Sequence, residues 1–166
     1  MGVRRDVLGQ LARRIGAIRR SHPTRVAVDG VDAAGKTTLA DALAAVLGVQ
    51  GRQVIRVSLD DFHRPRAERY ARYGALSPVG FYEDAFDYPA LWAAVLRPLG
   101  PGGDRRYRRA VFDVVADAPG QGVAGGDGRR DPGLRWGLCA AARVGRGVGL
   151  AAFSCRFRWR CRSNRR

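Results

Sequence analysis

An α/β fold built around a parallel sheet is predicted by three features of this sequence. The stretch Thr24 to Asp29, with Val26, Ala27 and Val28 in one apolar run, has the composition of a strand covered on both faces. Gly30-Val31-Asp32-Ala33-Ala34-Gly35-Lys36-Thr37 follows it and fits G-x-x-x-x-G-K-[ST], a glycine loop that cradles phosphates between a strand and a helix. Gln53 to Leu59, with Val54, Ile55, Val57 and Leu59, supplies a second strand. Strand, loop, helix and strand open a βαβ unit with a right-handed crossover. The fold class this predicts is the three-layer P-loop NTPase fold with a parallel sheet, incomplete at its C-terminal end.

The remaining elements follow in order. Val3, Val7, Leu8, Leu11, Ile15 and Ile18 recur at helical spacing with arginines on the other faces, which predicts an amphipathic first helix ended by Ser21-His22-Pro23. Lys36 to Leu47, rich in Ala and Leu, predicts a helix stopped by Gly48. Residues 60–80 are arginine-rich and read as loop. Tyr88 to Leu96 reads as a helix ended by Arg97-Pro98, and Gly100-Pro101-Gly102-Gly103 as a turn. Tyr107 to Val115 reads as a third strand or extended segment.

Charge divides the chain. Of its 166 residues, 30 are Lys or Arg and 15 are Asp or Glu, for a net charge of +15. Residues 1–118 hold 19 basic and 13 acidic groups, whereas residues 119–166 hold 11 basic groups against Asp127 and Asp131 alone. Two units are expected: the N-terminal part of a P-loop kinase-like domain at 1–118, and an Arg/Gly-rich tail at 119–166 that is disordered or out of frame. Lys36 is the one lysine beside 29 arginines, the bias of a GC-rich coding sequence. No run approaches the roughly 18 apolar residues a membrane span needs, and the charged N-terminus is unlike a secretory signal, so a cytoplasmic location without membrane contact is expected. Cys139, Cys155 and Cys161 lack metal-ligand or disulfide spacing.

The glycine loop carries the most specific chemistry. Gly30 and Gly35 let the backbone of Val31, Asp32, Ala33 and Ala34 curl so that amide N–H groups converge on phosphate oxygens, with the following helix aiming its N-terminal dipole at them. Lys36 reaches the β- and γ-phosphates, Thr37 completes an Mg²⁺ shell, and Thr38 extends the loop. ATP and Mg²⁺ are therefore the expected cofactors. A guanine-reading Asn-Lys-x-Asp motif is impossible with the single lysine already in the loop. A small-molecule kinase needs only an acid near the γ-phosphate and a pocket for the acceptor. Asp60 and Asp61, at the carboxyl end of the second strand, lie where open parallel sheets bind ligands. One of them accepts a hydroxyl proton or binds the metal; the competing reading is that both cap the next turn.

These residues resemble the uridine kinase family of P-loop kinases. The resemblance lies in Val28 to Thr38, in Ser58-Leu59-Asp60-Asp61-Phe62-His63, and in Phe81-Tyr82-Glu83-Asp84-Ala85-Phe86-Asp87, and it spans about residues 24–117. It implies ATP-dependent phosphoryl transfer to a nucleoside hydroxyl, with Asp60 as base and metal ligand beside Thr37, and Lys36 as a catalytic cation. It implies substrate contacts from Asp61, Phe62, His63, Asp84 and Tyr107, although the Asp-His-Pro that supplies the family's sugar-binding Asp is missing here. Another small hydroxyl-bearing acceptor, such as pantothenate or a sugar phosphate, is the alternative. The sequence leaves the acceptor and the oligomeric state open.

Beyond residue 117 the resemblance stops. The family continues with a buried strand ending in an acid and Gly, while this tail shows no strand or helix period and is expected to add no strand to the sheet. Read one base later, codons for Arg129 to Leu138 permit Ala-Val-Ile-Leu-Val-Phe-Asp-Gly-Val-Phe, and those for Val148 to Ala151 permit Trp-Asp-Leu-Arg, both similar to family strands. The tail is accordingly expected to be a frameshifted reading, leaving this chain impaired. Phe153, Phe157 and Trp159 among arginines suggest a nucleic-acid arm instead. Out-of-frame GC-rich sequence gives the same composition, so no specific nucleic-acid binding is expected.

Overall fold

The computed structural model describes residues 2–31, 33–75, 77–120 and 136–140. Helix α1 spans Gly2–Ala17 and is followed by strand β1, Thr24–Val28, and helix α2, Lys36–Val49. Strand β2, Arg56–Ser58, runs into a 3-10 turn at Leu59–Phe62. Short helices α3 (Arg66–Ala71), α4 (Pro78–Glu83) and α5 (Tyr88–Leu91) come next, the last widening into a π turn over Trp92–Leu96. Strands β3 (Phe112–Asp113) and β4 (Ala118–Pro119) form an antiparallel pair, and β5 spans Trp136–Ala140.

Strand β5 overturns an expectation. It lies between β1 and β2, parallel to both, in the order β1-β5-β2. The segment expected to add no strand thus supplies the centre of the sheet, and residue 118 is not a boundary of the sheet. Trp136 to Ala140 is a short uncharged run between Arg135 and Arg143. Backbone pairing on both sides satisfies its N–H and C=O groups without requiring an apolar period.

Several element ends also move, each for a local reason. Helix α2 passes through Gly48 and stops at Gln50, because Gly51, at φ +72°, takes the left-handed position and Arg52 N–H bonds Leu47 O at 3.0 Å. Strand β2 ends at Ser58 because the Ser58 hydroxyl accepts the Asp60 N–H at 3.3 Å and turns the chain. Residues 60–80 are not all loop. At Ser77-Pro78 the Ser77 hydroxyl accepts the Gly80 N–H at 3.2 Å and Pro78 sits in the first turn, which starts α4. Asp87 caps α5 by accepting the Ala90 N–H at 2.8 Å. Of Tyr107 to Val115, only Phe112–Asp113 pairs as strand.

Two apolar clusters hold these parts together. Leu8 and Ala12 of α1 and Ala40, Leu43 and Leu47 of α2 pack with Val28 of β1. Ile55, Val57 and Leu59 alternate into a second cluster with Phe62, Phe86, Val95, Leu96 and Leu99. The other edge of β1 has no strand among the described residues. Leu11, Ile15, Ile18, Val26, Leu39 and Leu43 line an apolar cavity of about 260 Å³ beside it, and Ala27 is exposed. No described helix is long and apolar enough to cross a membrane.

Phe62 is completely buried in the second cluster. Phe62→Ala is expected to lower unfolding stability by about 3 to 5 kcal/mol, measured by urea denaturation. A loss below about 1 kcal/mol would mean that the side chain is not packed.

Candidate active site

The site is built where β1 and β2 end. Across β5, Val28 is level with Ala140 and Ser58 is level with the same residue. The chain therefore leaves β1 into the glycine loop and leaves β2 into Asp60 at the same, carboxyl end of the sheet. Two interstrand spacings put the strand ends about 10 Å apart.

The glycine loop is wound by backbone conformation. Ala33 at φ +58° and Gly35 at φ +76° are both left-handed, and Ala34 N–H bonds Val31 O at 3.2 Å. A Cβ at position 35 would meet no atom within 4 Å, so glycine serves there for its torsion angle and not for space. Gly35 is the N-cap of α2 and offers no side-chain cap; the helix starts with Leu39 N–H on Gly35 O at 2.9 Å. The first-turn N–H groups thus lack acceptors within the helix, the arrangement that takes an anion. Lys36 Nζ folds back onto Gly30 O at 3.0 Å and Val31 O at 2.9 Å, a cation already held over the loop. Gly30 N–H donates to Asp29 Oδ1 at 2.7 Å. Thr37 and Thr38 are exposed, and Asp32 lies outside the described residues. These groups fit a triphosphate with its magnesium: an uncapped helix start and a lysine for the phosphates, a hydroxyl at Thr37 for the metal.

Asp60 and Asp61 share a turn but not an environment. The Asp60 carboxylate is exposed, and the Ser58 hydroxyl donates to its Oδ2 at 3.2 Å. Asp61 is half-buried. Desolvation pushes its carboxyl above the usual range, a backbone hydrogen bond from the Ser58 region opposes that, Asp60 adds to it, and Arg109 pulls it down. His63 stacks on Phe86, with centroids 4.5 Å apart and planes at 28°. Its Nδ1 lies 3.0 Å from Ala85 O, a contact that needs the proton on Nδ1. Nε2 of the neutral ring is then bare and lies 3.8 Å from Asp60 Oδ1, so only the charged ring is an ion-pair partner there.

The other expected substrate contacts divide. Phe62 is corrected: it is buried in the core and has no surface to offer a substrate. Asp84 closes α4, its N–H on Gly80 O at 2.8 Å, and its carboxylate makes no ion pair with the Asp60–His63 group among the described residues. Tyr107 is half-buried and packs against the core that contains Phe62. Arg109, beside Asp61, was not singled out by the sequence. The run Arg105 to Arg109 looks like an ordinary charged loop until Val111 N–H is seen to bond Asp61 O at 3.0 Å.

A parallel sheet with a glycine loop between β1 and an uncapped α2 is a P-loop α/β fold. Among solved structures, the chain is similar to a possible uridine kinase from Bacillus stearothermophilus. The TM-score is 0.63 at 24% identity, over 84% of this chain and 71% of that one. At that identity the likeness is one of fold. No family model and no curated protein matches the chain.

Burial lowers the pKa of His63 below its ordinary value of 6.5, the Ala85 hydrogen bond opposing. The folded state then binds fewer protons than the unfolded chain as pH falls from 6.5 to the lower folded value, and stability declines across that window. Asp61 acts oppositely in its own window: its raised pKa means that stability grows as pH falls from the folded value toward 3.8. Melting temperature is expected to drop on acidification from about pH 7.5 to 5.5, and His63→Phe, which keeps the stacking, is expected to flatten the drop. Identical slopes in both proteins would refute the burial effect.

Proposed function

We propose that this protein is a uridine kinase-like phosphotransferase that moves the terminal phosphoryl group of ATP to a nucleoside hydroxyl. The observation that carries the reading is the strand register, which levels Val28 with Ser58 and so brings the glycine loop and Asp60 to the same, carboxyl end of the sheet. Lys36 exchanges the carbonyls of Gly30 and Val31 for phosphate oxygens. Thr37 and Asp60 hold Mg²⁺, which offsets phosphate charge when bound. Asp60, oriented by Ser58, takes the acceptor's hydroxyl proton as that oxygen bonds phosphorus and the bond from phosphorus to the ADP oxygen breaks.

Two variants test the assignment together. Lys36→Ala is expected to abolish most of the thermal shift given by Mg-ATP. Asp60→Asn is expected to keep that shift while cutting transfer to uridine or cytidine by about 10²-fold or more. An unchanged shift in the first, or turnover within a few fold in the second, would refute the corresponding role.

The segment from about residue 119 is proposed to be an out-of-frame reading of such a gene. In the other frame Ala-Val-Ile-Leu-Val-Phe-Asp-Gly would fall on positions 129–136, directly ahead of β5, which spans Trp136–Ala140. As written β5 is followed by Ala141-Ala142-Arg143, with no acid at the strand end where P-loop NTPases place a metal-binding Asp. Among the described residues the outer edge of β1 pairs with no strand, and an apolar cavity lies beside it. The frame-restored counterpart is expected to unfold more cooperatively and to phosphorylate uridine about 10³-fold faster or more. Equal behaviour of the two chains would refute the frameshift.

A further inference from the structure

The arginines around the two strand ends divide by what they touch. Arg69 is buried and pairs with Asp117 at 3.2 Å. Arg72 faces Glu83 at 3.7 Å and lies over the Tyr73 ring. Arg64 donates to Phe86 O at 3.4 Å, and Arg105 donates to Gly100 O and Ser21 O at 3.3 and 3.2 Å. Arg25, on β1, donates to Leu96 O. Arg106, Arg108 and Arg109 make no ion pair with a described carboxylate, and no described carbonyl takes their guanidinium groups; of the three only Arg109 is half-buried, two residues before Val111, whose N–H bonds Asp61 O at 3.0 Å.

Its backbone is nevertheless fixed on both sides. Arg108 N–H bonds Ala94 O at 3.0 Å, Val111 N–H bonds Asp61 O at 3.0 Å, and Phe112 just beyond is buried. Arg109 sits half-buried between these anchors. With the backbone ordered in advance, less entropy is lost when the side chain takes a ligand.

The chemistry of the site gives that cation a task. Asp60 and Asp61 place two carboxyl groups where an anionic phosphoryl group has to arrive, and like charges at such range oppose its approach. Lys36 offers one positive charge from the loop on the other side of β5. A planar guanidinium matches phosphate oxygens two at a time, and one beside the carboxyl pair offsets the repulsion where it arises.

We propose that Arg109 is an anion-binding residue of the transfer site, taking phosphate oxygens beside the Asp60–Asp61 turn. The proposal rests on the phosphoryl-transfer reading and adds a residue to it. Two sources present the same chemistry: the terminal phosphate of the nucleotide, or a phosphate monoester on the acceptor.

The test compares the chain with Arg109→Ala and Arg109→Lys, titrating each with Mg-ADP, with the magnesium complex of a non-hydrolysable ATP analogue, and with ribose 5-phosphate. Arg109→Ala is expected to bind Mg-ADP as the parent does and to lose about tenfold in affinity for one of the other two, with Arg109→Lys recovering part of it. Loss for the triphosphate analogue alone assigns the contact to the transferred group, and loss for ribose 5-phosphate assigns it to the acceptor. Affinities within twofold of the parent for all three ligands would overturn the proposal while leaving the glycine-loop reading intact. Equal loss for Mg-ADP would also overturn it, by making Arg109 a support of the fold. A parent chain that does not bind Mg-ADP would bring down both readings.

Discussion

Parallel pairing on both sides of β5 is the constraint from which the site follows. Backbone hydrogen bonds tie Val28 and Ser58 to the level of the same residue, Ala140, and that level decides where two chain segments leave the sheet. The glycine loop leaves β1 and the Asp60 turn leaves β2 at that shared level. Their nearness is a property of the sheet, which sets lateral spacing in steps of about 4.8 Å. Removing β5 would leave β1 and β2 as separate edges with open ladders. It would also remove the pairing that sets the glycine loop level with the Asp60 turn.

The two strand ends supply different kinds of order. At β1 it is backbone order: positive torsions at Ala33 and Gly35, an uncapped helix start, and a lysine resting on carbonyls. At β2 the Ser58 hydroxyl donates to the Asp60 carboxylate, and the bond from Val111 N–H to Asp61 O fixes the backbone of the same turn. Phosphate is bound well by fixed dipoles, which lose little entropy on binding. Asp60 is exposed and Asp61 half-buried, so one turn holds its two carboxyl groups in different surroundings.

The second core explains how that turn is held. Phe62 points inward to Phe86, Val95 and Leu96 while its neighbours Asp60 and Asp61 stay on the rim, a separation made by one 3-10 turn. The antiparallel bridge between His63 and Phe86 then brings the Phe81–Asp87 segment against the same turn. Asp117, at φ +49°, accepts both the Arg66 N–H at 2.8 Å and the Arg69 guanidinium at 3.2 Å, and so ties the β3–β4 pair to α3.

Local sequence was sufficient for whatever depends on local chemistry. The glycine loop, the β1 strand before it and the helix after it were legible because torsional freedom, apolar runs and helix propensity are written in adjacent residues. So was the place of Asp60 and Asp61 at a strand end. Helix α4 was legible in principle at Ser77-Pro78, but its six residues lack a full apolar period. What tertiary structure decided was which residues that look alike in sequence become different in place. It sent Phe62 to the core although it lies between Asp61 and His63. It chose Arg109 from a run of arginines through one backbone bond at Val111, and it made a central strand of Trp136–Ala140. That strand has no periodic signature, because its stability comes from pairing with β1 and β2 more than 70 residues away, and no window of neighbouring residues contains that interaction.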